Sequence, residues 1–183
     1  MLFNNSNKSL YDLRGQTVST WGKDTTGSVK YTINNQGFRS SIDYAWSPKY
    51  AFFGSSSIFG IGVSEEQTLV AQFNQAQNYG LAGNYLNQDS VLNLENFLNS
   101  SIYNDSIKIV FFWIERPGQE NIEELISYIN SFNKGVINIS QGNKYLQAIN
   151  LMPHIDRDIS GTHPGPKTHL MWAKTIRLLL DRA

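Results

Sequence analysis

Two loops of this sequence hold the residue types that carry out acyl transfer. The first is Gly54-Ser55-Ser56-Ser57-Ile58-Phe59-Gly60-Ile61-Gly62-Val63, which follows the short apolar run Tyr50-Ala51-Phe52-Phe53. A serine at such a strand end, beside a helix N-terminus, would find backbone N–H groups ready to stabilise an oxyanion. The same loop also reads as a tight turn whose serines cap the chain. Three glycine-rich motifs are excluded. Within this loop no Lys precedes a Ser or Thr, as a phosphate-cradling P-loop requires. Gly60 and Gly62 lack a third Gly at dinucleotide spacing, and Ile58 stands where a G-x-S-x-G elbow needs its last Gly.

The second loop runs from Leu151 to Lys167 and contains His154, Asp156, Asp158 and His163. A serine nucleophile needs an imidazole base held in one tautomer by an acceptor. His163, beside Pro164 at the mouth of a sheet, suits that role, although a lone His is as readily a surface or capping residue. The spacing of His154, Asp156, Asp158 and His163 matches no standard ligand pattern, so no metal is expected. His169 falls inside the closing helix and reads as structural.

The elements that must position these loops follow from the pattern of apolar residues. Residues 1–48 lack helical periodicity and carry turn signals at Asp24–Gly27 and Asn34–Gly37, with Ser28 to Ile33 alternating like a short exposed strand. They form an N-terminal arm or β ribbon packed on a main domain of residues 49–183. There, strands alternate with helices. Ser64-Glu65-Glu66-Gln67 matches a capping box and predicts a helix to about Gln77. Tyr79 to Ala82 reads as a strand, and Asp89 to Leu98 as a helix with Val91, Leu92, Leu94 and Leu98 inward. Ile107 to Ile114 is the strongest strand, nearly all apolar, as a strand covered on both faces requires. A helix over Gln119 to Phe132, a last strand over Tyr145 to Leu151 and a closing helix over Pro166 to Arg182 complete the pattern. In that last helix Leu170, Ala173, Ile176 and Leu180 should face inward. Such alternation implies an α/β fold with a parallel sheet, whose site lies at the strands' carboxyl ends.

Composition narrows the class of function. The chain has 183 residues, 40% of them hydrophobic and 13% aromatic, enough for a packed core. Lys+Arg and Asp+Glu are each 15, so the basic excess of a phosphate-contacting nucleic-acid binder is missing. Cys is absent, which removes disulfides, thiolate zinc sites and cysteine nucleophiles. No apolar run reaches the ~20 residues of a membrane span, and the Asn- and Ser-rich start does not resemble a signal peptide. The expected setting is the cytoplasm or a viral or surface assembly.

The two loops together resemble a known family. Phe53-Gly54-Ser55-Ser56-Ser57-Ile58-Phe59-Gly60-Ile61-Gly62-Val63 is similar to block I of the SGNH (GDSL-type) hydrolases, where a strand ends in Gly-Asp-Ser and a Phe-x-x-Gly-x-Gly-Val stretch follows. Asn78-Tyr79-Gly80-Leu81-Ala82-Gly83 resembles block II, Asn-x-Gly-x-x-Gly, and Thr162-His163-Pro164-Gly165 resembles block V. Upstream, Asn34-x-x-Gly37-Phe38-Arg39 is similar to the stretch that precedes block I. The likeness runs from about Asn34 to the C-terminus. It implies a flavodoxin-like three-layer α/β/α sandwich with a parallel sheet. The implied activity is hydrolysis of O-acyl esters, foremost acetyl, on carbohydrates or small molecules, with no cofactor. Ser56 would be the nucleophile and His163 the base, with the Ser56 and Gly83 N–H groups in the oxyanion hole.

The sequence departs from that family at three points. The Asp of Gly-Asp-Ser is Ser55. The block III Asn is missing after the central strand, where Trp113-Ile114-Glu115-Arg116-Pro117 stands. Arg116 could replace it as an oxyanion donor, bind an acidic substrate group, or serve as a surface salt-bridge residue. Losing one such donor without a substitute costs ~2.7–4 kcal/mol of transition-state stabilisation. The Asp three residues before the His is Ser160, leaving Asp158 to orient His163, with Asp156 less well placed and a backbone carbonyl as the third option. These departures keep an alternative open: a catalytically weakened SGNH-like module that binds glycans or builds a virion or surface assembly. A nucleotide or flavin binder using the serine-rich loop for phosphate is a third reading, which leaves the His-bearing loop unexplained.

Overall fold

The structure, a computed structural model, describes residues 17–21, 28–40, 46–81, 88–112, 124, 127, 128, 131, 136–139, 155–158 and 163–181. Its first elements are strands β1 (Thr17–Trp21) and β2 (Ser28–Thr32), paired antiparallel with Thr17 opposite Thr32. The sequence pattern predicts an exposed strand here. Tyr31 and the following Ile33 are instead fully buried, packed on Phe59. The chain then reverses through Asn34–Gly37. Asn34 Oδ1 accepts the N–H groups of Gln36 and Phe38, each at 3.0 Å, and Gly37 takes φ 90°. This is an Asx-type turn closed by a residue with no Cβ to clash.

The main sheet contains β3 (Tyr50–Gly54), β4 (Ala76–Gly80), β5 (Lys108–Phe112) and β6 (Val136–Ile139). Their spatial order is β4-β3-β5-β6 and every pair is parallel. Counted along the chain, that order is 2-1-3-4. It places the reversal of winding at β3, whose carboxyl end is therefore the expected ligand crevice of an open parallel sheet.

Side chains alternate across β3 and β5 and build a core on each face. Phe52, Val110 and Phe112 point to one side, where they meet Leu69, Phe73, Trp172, Ile176 and Leu180. Ala51, Phe53, Ile109 and Phe111 point to the other, against Tyr79, Val91, Leu94 and Phe97. Helix α2 (Gln88–Leu98) covers the second face, and α3 (Pro166–Leu180) covers the first. Before them comes α1 (Ser56–Phe59), a single turn directly after β3. Each fully buried Phe contributes ~1.5–3 kcal/mol by leaving water. Phe53 also stacks on Tyr79 at 4.8 Å with the ring planes 4° apart.

Several elements differ from the sequence pattern. The capping-box segment does not open an α-helix. It forms two 3-10 turns, Glu65–Gln67 and Val70–Gln72, and β4 follows, starting three residues earlier than Tyr79. The break is at Thr68, whose backbone is extended (ψ 156°) and whose Oγ1 accepts the Ala71 N–H at 3.1 Å. The box itself is present, with Ser64 N–H donating to Gln67 Oε1 at 3.4 Å, but it opens only a 3-10 turn. Leu92 and Leu170 lie outward, 52% and 43% exposed, and Phe97 and Trp172 take the inward places. Strand β6 adds an element absent from the expected pattern, built on the β-branched residues Val136, Ile137 and Ile139. The strand expected over 145–151 lies outside the described residues, as does most of the helix expected over 119–132. No helix among the described residues is long and apolar enough to cross a membrane.

Candidate active site

The serine loop begins with a backbone constraint. Gly54 ends β3 at φ 150°, and a Cβ on it would lie 1.9 Å from the Phe112 carbonyl oxygen. Glycine therefore lets β3 and β5 close at their carboxyl ends, and the chain turns at once into α1. There the Ile58 and Phe59 N–H groups donate to Ser55 O at 2.9 and 3.0 Å. Ser55 and Ser57 are buried. Ser56, the expected nucleophile, is half-buried in the first position of the turn. Gly60 ends the turn in a left-handed conformation, φ 81°, and its N–H donates to Ser56 O at 2.9 Å.

Three neighbours hold this loop in place. Asn78 on β4 donates from Nδ2 to Ile58 O at 2.9 Å, and its Oδ1 accepts the Gly80 N–H at 3.0 Å. Tyr31 accepts the Gly62 N–H on its hydroxyl at 2.7 Å. Arg39 is 2% exposed and reaches three carbonyls at once: Nη1 donates to Phe59 O at 2.9 Å and to Gly60 O, and Nη2 to Val63 O at 2.6 Å. Its guanidinium lies 4.6 Å from the Tyr31 ring centre. Burial pushes the Arg39 pKa down to about 10, which leaves it charged at neutral pH. A lysine could not span three separate acceptors in this way.

The histidine loop reaches the same end of the sheet. Asp158 and His163 exchange backbone-directed bonds. Asp158 N–H donates to His163 O at 3.0 Å, and His163 N–H donates to Asp158 Oδ1 at 3.0 Å. The second carboxylate oxygen, Oδ2, stands 4.0 Å from His163 Nδ1, with the Asp158 side chain wholly buried and the His163 side chain 30% exposed. The carboxylate therefore stands on the Nδ1 side of the ring. The Asp158 carboxylate also touches the serine loop. A Cβ on Gly62, at φ 78°, would lie 1.9 Å from Asp158 Oδ2. Asp158 thus joins His163 on one side and the loop of Ser56 on the other. Among the hydrogen bonds between described residues, none runs from the Ser56 hydroxyl to the His163 ring.

Asp156 has a different task from the one weighed for it. Oδ2 accepts the Lys167 N–H at 2.8 Å; Oδ1 accepts the Thr168 N–H at 2.8 Å and the Thr168 hydroxyl at 2.7 Å. It therefore caps α3 from a distance. Partial burial works to raise its pKa. The Thr168 hydroxyl, the two amides and the Lys167 charge outweigh that and hold it below the ordinary carboxylate value. Among the described residues no three His, Asp or Glu side chains cluster as metal ligands. His169 is fully buried and accepts the Leu69 N–H on Nδ1 at 3.0 Å, a packing role. Gly83, Arg116 and His154 lie outside the described residues.

The structure thus brings Asp158 to His163 and to the serine loop. Sequence reasoning passed over the bracing by Arg39 and Tyr31. The only signal for it was the Asn34-to-Arg39 stretch noted upstream of the loop. No protein-family model matches this sequence, and neither the curated proteins nor the solved structures contain a match.

Proposed function

We propose that the chain is a serine esterase of SGNH type, acting on O-acyl esters of carbohydrates or small molecules. The observation that carries this reading is the buried Asp158 carboxylate, seated between His163 Nδ1 and Gly62 of the Ser56 loop. Further support comes from the 2-1-3-4 strand order and the helices on both sheet faces. These fit a flavodoxin-like three-layer sandwich with its site at the β3 carboxyl end. In this reading Ser56 Oγ attacks the ester carbonyl carbon while its proton passes to His163 Nε2. The same proton is then given to the departing alkoxide, which leaves as the alcohol. Water, deprotonated by His163, attacks the acyl-serine and releases the carboxylic acid. The contact from serine to imidazole forms with substrate bound, as catalytic hydrogen bonds often tighten only then. Asp158 stabilises the imidazolium through Nδ1.

The test is labelling with a fluorophosphonate, followed by hydrolysis of a chromogenic acetate ester. Wild type should be labelled at Ser56 and turn over; Ser56→Ala and His163→Ala should do neither. A folded wild type that resists the probe and hydrolyses no acyl ester overturns the reading. One observation favours a second reading, a weakened module that retains binding: the 4.0 Å separation of Asp158 and His163 is longer than a hydrogen bond. That module would bind an acylated glycan equally well with Ser56→Ala and leave it uncleaved.

A further inference from the structure

A cavity of about 220 Å³ opens beside α2, on the sheet face away from α3, and shares no residue with Ser56, Asp158 or His163. Its floor is aromatic. Phe38 meets Tyr79 edge-on at 4.9 Å, and Tyr79 lies 5.0 Å from Phe97 at a tilt of 51°. Its rim carries side-chain amides and a hydroxyl: Gln36 from the Asx turn, and Asn93, Asn96 and Ser100 from α2 and its end. Two of these side chains are held in place. Asn93 Nδ2 donates to Tyr79 O at 2.8 Å, which leaves Oδ1 as an acceptor. Ser100 Oγ donates to Phe97 O at 2.7 Å, so toward a ligand that oxygen can only accept. The Gln36 backbone is fixed by Asn34. Among the described residues that line the cavity, none is charged.

We infer that this cavity is a binding site for one neutral sugar ring, recognised by Phe38, Tyr79 and Phe97 against its C–H face and by Gln36 and Asn96 at its hydroxyls. The lining decides between ligand classes. A phosphate or carboxylate ligand would find no cation among the described lining residues. A purely apolar ligand would strand Asn93 Oδ1 and the Asn96 amide, since an unpaired buried polar group costs ~1–3 kcal/mol. A pyranose answers both requirements, with axial C–H groups on its faces and donor–acceptor hydroxyls around its edge. The volume is below the ~300–1,000 Å³ of drug-sized pockets, which limits the ligand to about a single ring. The site goes beyond the esterase reading and would hold a sugar whether or not Ser56 reacts.

The experiment is saturation-transfer NMR on the Ser56→Ala protein with neutral hexoses and N-acetylhexosamines, using glucuronate and hexanoate as controls. The expected result is saturable transfer to ring C–H protons of at least one neutral sugar, weakened about tenfold by Asn96→Ala and by Gln36→Ala. Asn96 is exposed, so Asn96→Ala should keep the wild-type melting curve. In the Ser56 background it should also leave fluorophosphonate labelling unchanged, which separates this inference from the esterase reading. Absence of transfer to every neutral sugar, equal transfer in Asn96→Ala and Gln36→Ala, or preferential binding of hexanoate would each overturn it.

Discussion

Replacing Gly62 by alanine tests whether the two loops meet as described. The added methyl group would lie 1.9 Å from Asp158 Oδ2 and 2.4 Å from both Asp158 Cβ and Cγ. Swinging the carboxylate alone cannot relieve a contact that includes Cβ. The backbone adds its own cost, because Gly62 has φ 78°. A left-handed alanine costs ~1–2 kcal/mol, and overpacking costs ~1–3 kcal/mol. A central expectation is about 3 kcal/mol. For a chain of this length that is a fall in Tm of about 6–12 °C. The assay is thermal unfolding of Gly62→Ala, Asp158→Gly, which removes Cβ together with the carboxylate, and the double variant. The backbone part should persist in both backgrounds, whereas the overpacking part should disappear once the carboxylate is gone. The cycle should therefore show a coupling of ~1–3 kcal/mol. A single variant within about 2 °C of wild type, or a cycle with no coupling, refutes the packing of Asp158 on the serine loop.

Other expected outcomes follow from the same contacts. Arg39→Met removes the donors of the Phe59, Gly60 and Val63 carbonyls, each costing ~1–3 kcal/mol if left unpaired. Urea unfolding should show a loss above ~3 kcal/mol, with Arg39→Lys recovering less than half; a loss under ~1 kcal/mol contradicts the bracing role. Asp156 has a lowered folded pKa, so its contribution is present above the ordinary carboxylate value and is lost as pH falls through the folded one. The stability gap between wild type and Asp156→Asn should be flat near about pH 6 and shrink below about pH 4, whereas parallel curves would argue against the cap. On the esterase reading, Asp158→Asn should lower kcat by about 10²–10⁴-fold, because the imidazolium loses its carboxylate. An unchanged kcat would assign Asp158 a purely structural role.

Elements with a long apolar period were legible in the sequence. The runs at Tyr50–Gly54 and Lys108–Phe112 form adjacent central strands, and α2 and α3 start within a residue of their expected positions. What failed was local chemistry competing with periodicity. Ser64–Gln67 carries a helix-start signal, yet Thr68 takes an extended backbone and restarts the turn. In α3 the 3.6-residue stripe admits Leu170 and Trp172 alike, and only the tertiary fit against Phe112 selects Trp172. At the candidate site, residue types could be read and roles less so. Asp156 and Asp158 are two residues apart and chemically identical, but one caps α3 and the other faces His163. That division depends on how the loop closes through the Arg157–Pro164 bridge, a contact no local motif records.

The grip of Arg39 and Tyr31 on the Ser56 loop has a consequence for how this end of the molecule opens. The Gly62 amide is bonded to the Tyr31 hydroxyl, and the carbonyls on either side of it are bonded to Arg39. The loop cannot detach unless the segment carrying Tyr31 and Arg39 lets go as well. The two should therefore form one cooperative unit, with amide protons of Gly62 and of the 31–39 segment exchanging with deuterium at a common opening free energy.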